Sequence, residues 1–189
     1  MFWPYLKTLL AEFRDDTRGS FMVETVISLP LLFWTICATY EFFEVHRYKS
    51  VREKATYTIA DMLSREQAAI NDVYIDNTKA LFDTIANDTG DNQLRVTIIR
   101  YLEADDEYGV VWSEVRGSGR LNPLDDDDVA NDHAKLPVMD DGEQLILVES
   151  VSNYQSLFDL VYSSAISIET RVFTSIRFSP QLCFGSCTS

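Results

Sequence analysis

The sequence is poor in the residues from which most catalytic sites are built. Its 189 residues include two histidines, three cysteines and seven glycines. His46 and His133 lie 87 positions apart, and neither has an evident serine or cysteine partner. No Gly-x-Ser-x-Gly elbow and no glycine-rich phosphate loop occurs, so nucleophilic hydrolysis and nucleotide chemistry lack their usual parts. Paired carboxylates are everywhere in so acidic a chain and decide nothing. The expectation is a non-enzyme without a cofactor. An anchored hydrolase using His133 is the weakest alternative.

Basic residues are also scarce, with 16 Lys and Arg against 30 Asp and Glu and a net charge of −14. Phosphate backbones need a basic surface, which excludes nucleic acid as a natural partner. The deficit is uneven. Residues 1–55 carry seven basic and seven acidic side chains, so the whole excess lies in residues 56–189. That acidity suits the solubility of an exported domain.

Long apolar runs are missing everywhere but one place. Residues 25–40 contain no charge, and residues 21–43 give 23 positions, enough to cross a hydrocarbon core of about 30 Å at about 1.5 Å per residue. The longer span includes Glu24 and Glu41. A carboxylate in lipid costs on the order of 2.5–3.5 kcal/mol at mid-depth, so each is a functional candidate. Glu41, near the outer boundary, is expected to be partly wet.

Around this span sit Arg18-Gly19, then Glu24 five residues after the glycine, then Leu29-Pro30-Leu31-Leu32 and Glu41-Phe42. A charged leader, a glycine and an apolar helix with Glu at its fifth position resemble a type IV prepilin processing site. The wider pattern, over residues 14–60, resembles the TadE/TadG-like proteins, pseudopilin-like components of tight-adherence (Flp) pilus systems. Thr25 stands where that family often has an aromatic residue. The resemblance implies cleavage after Gly19 by a prepilin peptidase on the cytoplasmic face, with Ser20 as the new N-terminus. It also implies that Glu24 meets the N-terminal amine of a neighbouring subunit. Expected partners are other pilin-like subunits, paired through helix 19–48, inner-membrane pilus assembly proteins and membrane lipid. The expected location is the bacterial inner membrane, single-pass, with the N-terminus cytoplasmic and the C-terminal domain outside. The competing reading is an uncleaved membrane-anchored extracytoplasmic binding module that responds to Ca²⁺ or another ligand.

Three regions follow: a leader over 1–19, a transmembrane and stalk helix over 20–64, and an acidic α+β domain over 65–189. Residues 2–13 have helical apolar spacing. Pro30 is tolerated inside a membrane helix, where a kink is expected. Beyond the span, Tyr48, Val51, Ala55, Ile59 and Met62 form a stripe that carries the helix to about residue 63. A second helix is expected over 66–87, with Ile70, Val73, Tyr74, Asn77, Leu81, Thr84 and Ile85 on its packed face. Residues 87–90 end it. Strands are expected over 94–102, 110–116, 145–154 and 166–178, with a turn at 105–109 and a short helix or turn at 157–161. The fold class is α+β, a roughly four-stranded antiparallel sheet packed by the two helices.

Asp125, Asp126, Asp127 and Asp128 with Asp132 could gather Ca²⁺, but their spacing does not match an EF-hand loop. A solvated acidic loop is the simpler reading, and no metal site is assigned. Cys37 reads as an apolar filler. Cys183 and Cys187 lack further ligands for a metal, and a local disulfide in an oxidising compartment fits them better. With four basic residues at 47–54 against three before the span, charge does not fix the orientation. The cysteine pair and the Gly19 motif place the C-terminal domain outside.

Overall fold

A computed structural model of the chain describes residues 12, 14, 19–87, 92–130, 133–157 and 165–187. The leader helix, the short helix or turn at 157–161 and Asp132 fall largely or wholly outside them. The fold is α+β. Helix α1 spans Ser20–Ser64 and α2 spans Asp72–Ala86. Strands β1 (Gln93–Leu102), β2 (Glu107–Arg116), β3 (Gln144–Tyr154) and β4 (Ile166–Ser175) form an antiparallel sheet in the order β2-β1-β3-β4. One further turn of helix, α3, covers Asp126–Val129. The chain divides within α1 into two compact units, Met1–Phe43 and Glu44–Ser189.

In the first unit α1 passes through Pro30 unbroken. Proline has no N–H to offer, so the carbonyl of Val26 loses its helical donor there. The large apolar side chains of residues 21–36 are exposed, from 51% at Trp34 to 74% at Phe21. By length and composition this is a helix able to cross a membrane. A helix apolar on all sides is stable only when covered by lipid or protein.

In the second unit α1 buries Ala55, Ile59, Ala60 and Leu63. With α2 it covers one face of the sheet, against Leu94, Val96, Ile98, Ile146, Val148 and Val172. The packed face of α1 is rotated from the expected stripe. Val51 and Met62 sit at its rim, while Arg52, Thr56 and Ser64 are buried. Thr56 and Ser150 satisfy each other across the interface, with hydroxyl oxygens 3.1 Å apart. Arg52 lays its guanidinium over the Tyr48 ring, 3.0 Å from the centroid. A stripe chosen for apolarity alone misses such residues, because stacking on a ring and pairing of a hydroxyl offset part of the cost of burying a polar side chain.

Helix α2 is rotated too. Its buried residues are Ile75, Thr78, Phe82 and Ala86, whereas Val73 is 66% and Leu81 37% exposed. It begins at Asp72 rather than 66. Asn71 caps it, accepting from the Tyr74 N–H at 2.9 Å. The N–H and C=O of Ile70 are already engaged, by Cys183 O and Gly185 N at 2.8 and 2.7 Å. Asn87 ends the helix in the left-handed conformation, with φ 51°. Arg116 of β2 ties the helix to the sheet edge through Asp72 and Asp76, and also meets Glu114. Burial works against its charge, but the three carboxylates outweigh it and hold the pKa above the ordinary arginine value.

The β1–β2 turn lies earlier than expected, with Asp106 at φ 52°. A bulge then shifts the register, so that Ile98 opposes Trp112 and Ile99 opposes Val110. Residues 117–143 cross to the other face of the sheet, where Val129, Leu136 and Met139 bury Ile99, Tyr108, Leu145 and Leu147. Gly117 starts this crossing at φ 92°, where a Cβ would stand 2.4 Å from Asn92 O. Only glycine fits. On the same face Glu149 bridges Arg95 and Arg171 across three strands. Strand β4 stops at Ser175, short of the expected 178, because the Arg177 N–H leaves the sheet to donate to Ser64 O at the end of α1, at 2.9 Å. Phe178 is 59% exposed rather than part of the strand face.

The rotation of α2 is directly measurable. Phe82→Ala should cost about 3–5 kcal/mol by leaving a cavity, and Leu81→Ala less than about 1 kcal/mol. Urea unfolding of the micelle-bound chain reads both. Similar losses at the two positions would place the packed face elsewhere.

Candidate functional site

The residues marked for processing and assembly stand at the start of α1. Gly19 is exposed and immediately precedes the helix, whose first residue is Ser20. Nothing lies within 4 Å of where a Gly19 Cβ would be. Glu24 follows in the second turn and is exposed. At 100° per residue it shares a face with Ser28, Thr35 and Thr39, which sequence reading passed over. Thr35 and Thr39 donate back to Leu31 O and Thr35 O, each at 2.8 Å, and Ser28 donates to Thr25 O at 3.5 Å. Their hydroxyls are thus satisfied within the helix. Leu31, 65% exposed, lies on the same face between Ser28 and Thr35. In chemical terms the site is one carboxylate at the head of a face that mixes hydroxyls with a leucine.

Glu41 departs from expectation. It is wholly buried, not partly wet, and Cys37 one turn earlier is 5% exposed. Glu41 and Arg52 are the only charged residues that are buried among those described. Neither stands in the apolar stripe expected for α1.

The acidic loop has a structural use. Asp125 caps α3 and forms a capping box with Asp128, at 3.2 Å in both directions. Asp126 accepts the Val110 N–H at 2.7 Å, next to the bulge in the β1–β2 ladder. Two of its carboxylates thus serve the loop's own helix, and a third ties it to β2. Among the described residues no group of three or more His, Cys, Asp or Glu side chains is placed to hold a metal. His133 sets Nε2 3.0 Å from Asp106 O and its ring 5.1 Å from that of Tyr108. Beside it, a hydrogen bond to Asp106 keeps the Tyr101 hydroxyl neutral, raising its pKa to about 12. Burial and then Glu66 do the same for Tyr74, also to about 12.

Cys183 and Cys187 are joined in a disulfide, and Cys37 is free and buried. The loop they close is docked. The Trp112 indole N–H donates to Leu182 O at 2.7 Å, Gln144 Oε1 accepts the Leu182 N–H at 3.1 Å, and Phe184 packs on Trp112 at 5.6 Å. With the bridge to Ile70, this fixes the α1–α2 connection to the sheet.

No family model, no curated protein and no solved structure matches the chain. The functional reading therefore rests on these residues and their placement.

Alkylation of denatured, unreduced protein should label Cys37 alone. Reduction should speed amide exchange at Ile70, whose N–H loses Cys183 O when the tail loosens, and lower stability by about 2 kcal/mol on the loop-entropy account. Labelling of all three cysteines before reduction would show that the tail is held without a disulfide.

Proposed function

We propose that the chain is a non-enzymatic, TadE/TadG-like minor pilin or pseudopilin of a tight-adherence pilus assembly system. It is held in the bacterial inner membrane by residues 21–43, with the acidic domain outside. The observation that carries this reading is the head of α1. Gly19 lies bare at the helix start, Glu24 opens a stripe of hydroxyl-bearing residues, and the same helix continues as a stalk into an α+β domain. The closed cysteine pair supports an oxidising compartment for the C-terminal end. In this reading the peptidase cuts after Gly19. The freed amine of Ser20 in one subunit then pairs with Glu24 of another, while the Ser28, Thr35 and Thr39 face admits the neighbouring helix. Its partners are other pilin-like subunits and the inner-membrane assembly proteins.

Intact mass of membrane-purified protein tests the processing step. Cells with an active prepilin peptidase should yield a chain beginning at Ser20. A full-length mass would remove the cleavage from the proposal and leave an uncleaved assembly subunit.

Glu24→Gln tests the pairing. Loss of one partner from an ion pair in a low-dielectric setting costs about 3–5 kcal/mol, a factor of more than 100 in association. The variant should insert and stay stable but fail to co-purify with the assembly complex. Glu41→Gln, at a wholly buried position, should instead lower the stability of the chain itself. If Glu24→Gln assembles as wild type does, the span is a plain signal anchor.

A further inference from the structure

The chain changes character in the eleven residues after the span. Residues 44–54 hold Arg47, Lys49, Arg52 and Lys54 against Glu44 and Glu53, a net of +2 with His46 neutral. All of the net negative charge lies beyond them, in residues 56–189. Arg52 is turned inward and 2% exposed. His46, Arg47, Lys49 and Lys54 are exposed on the outer side of α1. Arg47 meets Glu44, and Lys49 meets Glu53 at 3.7 Å. Lys49 and Glu53 are 52% and 42% exposed, and an ion pair so wet is weak and easily exchanged. Arg47 is 73% exposed but holds both oxygens of Glu44, itself 24% exposed, through Nε and Nη2. Just before this segment stand Tyr40, Phe42 and Phe43, 50%, 53% and 65% exposed. Exposed aromatic rings at the end of an apolar span, followed by cations, form the pattern of a membrane–water interface.

We propose that residues 46–54 form a basic collar that binds the phosphates of anionic phospholipid headgroups in the leaflet where the span ends. The proposal rests on the membrane-spanning reading of α1, but it holds for either orientation. At about 1.5 Å per residue, Arg47 and Lys49 lie about 6 and 9 Å past Phe43 along the helix. Helical side chains lean toward the N-terminus, here toward the lipid. Both cations therefore reach the headgroup layer, Arg47 by exchanging the Glu44 carboxylate for a phosphate and Lys49 as a point charge. Lys54 lies further out and acts over about one Debye length. The acidic remainder of the domain is repelled by the same surface, so the collar draws the span's end to the lipid while the domain is held off. An acidic protein offers the same charge, but the collar directly follows residue 43, where headgroups are the nearest anions.

The test uses the full chain in nanodiscs made from phosphatidylcholine with phosphatidylglycerol as the minor component. The lipid retained on gentle detergent release is counted by native mass spectrometry. Phosphatidylglycerol should be enriched over its bulk share. Arg47→Gln and Lys49→Gln should each weaken its retention about fivefold, and the double variant should approach parity. Lys135→Gln, an exposed change far along the chain, should keep the enrichment. Added salt should erode it. Equal retention of both lipids by an inserted, correctly folded chain overturns the collar and leaves the span intact. Displacement by inorganic phosphate beyond that by chloride of equal ionic strength points to a free-phosphate site and overturns the lipid assignment. Recovery of the chain in the aqueous fraction overturns the membrane reading along with the collar.

Discussion

The domain is assembled on one face of one helix. Ala55, Ile59, Ala60 and Leu63 of α1 are buried to the last percent, and the inward residues of β1, β3 and β4 close on them together with α2. Each large aliphatic side chain so buried contributes about 1.5–3 kcal/mol. The two alanines matter differently. They let the helix lie close to the sheet, near enough for Thr56 to reach Ser150. The remaining elements secure this contact from its edges. Arg116 clamps α2 from β2, the Arg177 N–H caps the end of α1, and the disulfide loop holds the turn at Ile70.

The same helix meets a different requirement over residues 21–43. Over residues 21–36 its large side chains point outward all round, and burial begins only at Cys37 and Glu41. Ser and Thr hydroxyls donate their hydrogen bonds to the helix's own carbonyls, which makes them tolerable in a medium that offers no acceptors. Two carboxylates interrupt this pattern, and the structure treats them oppositely, with Glu24 exposed and Glu41 wholly buried. An exposed carboxylate on an apolar helix is left for something outside the chain to neutralise. A buried one is enclosed by the chain itself. The proposed function uses Glu24 for assembly and Glu41 for stability.

Charge is used locally within an acidic chain. The aspartates of the loop at 125–128 cap a helix turn and bind a backbone N–H beside a bulge. The Arg95–Glu149–Arg171 ladder fastens the far face of the sheet.

The sequence alone determined the elements that depend on local pattern. The apolar span was legible because 23 positions with so few charges have one economical solution. Strands β1 and β4 were legible because period-two alternation shows in their sequence, at Leu94, Val96 and Ile98 in one and Ile166, Ile168 and Val172 in the other, and the cysteine pair because its members stand four positions apart. Faces and ends were not legible. The packed sides of α1 and α2 depend on which neighbours complete Arg52, Thr56 and Thr78, and those neighbours lie elsewhere in the chain. The start of α2 depends on a tail more than one hundred residues away that takes the N–H of Ile70. The fate of Glu41 likewise depended on burial, which no local pattern encodes. Helical and strand periodicity are short-range properties of the backbone, whereas the partner that makes a polar group burial-worthy is set by tertiary contact.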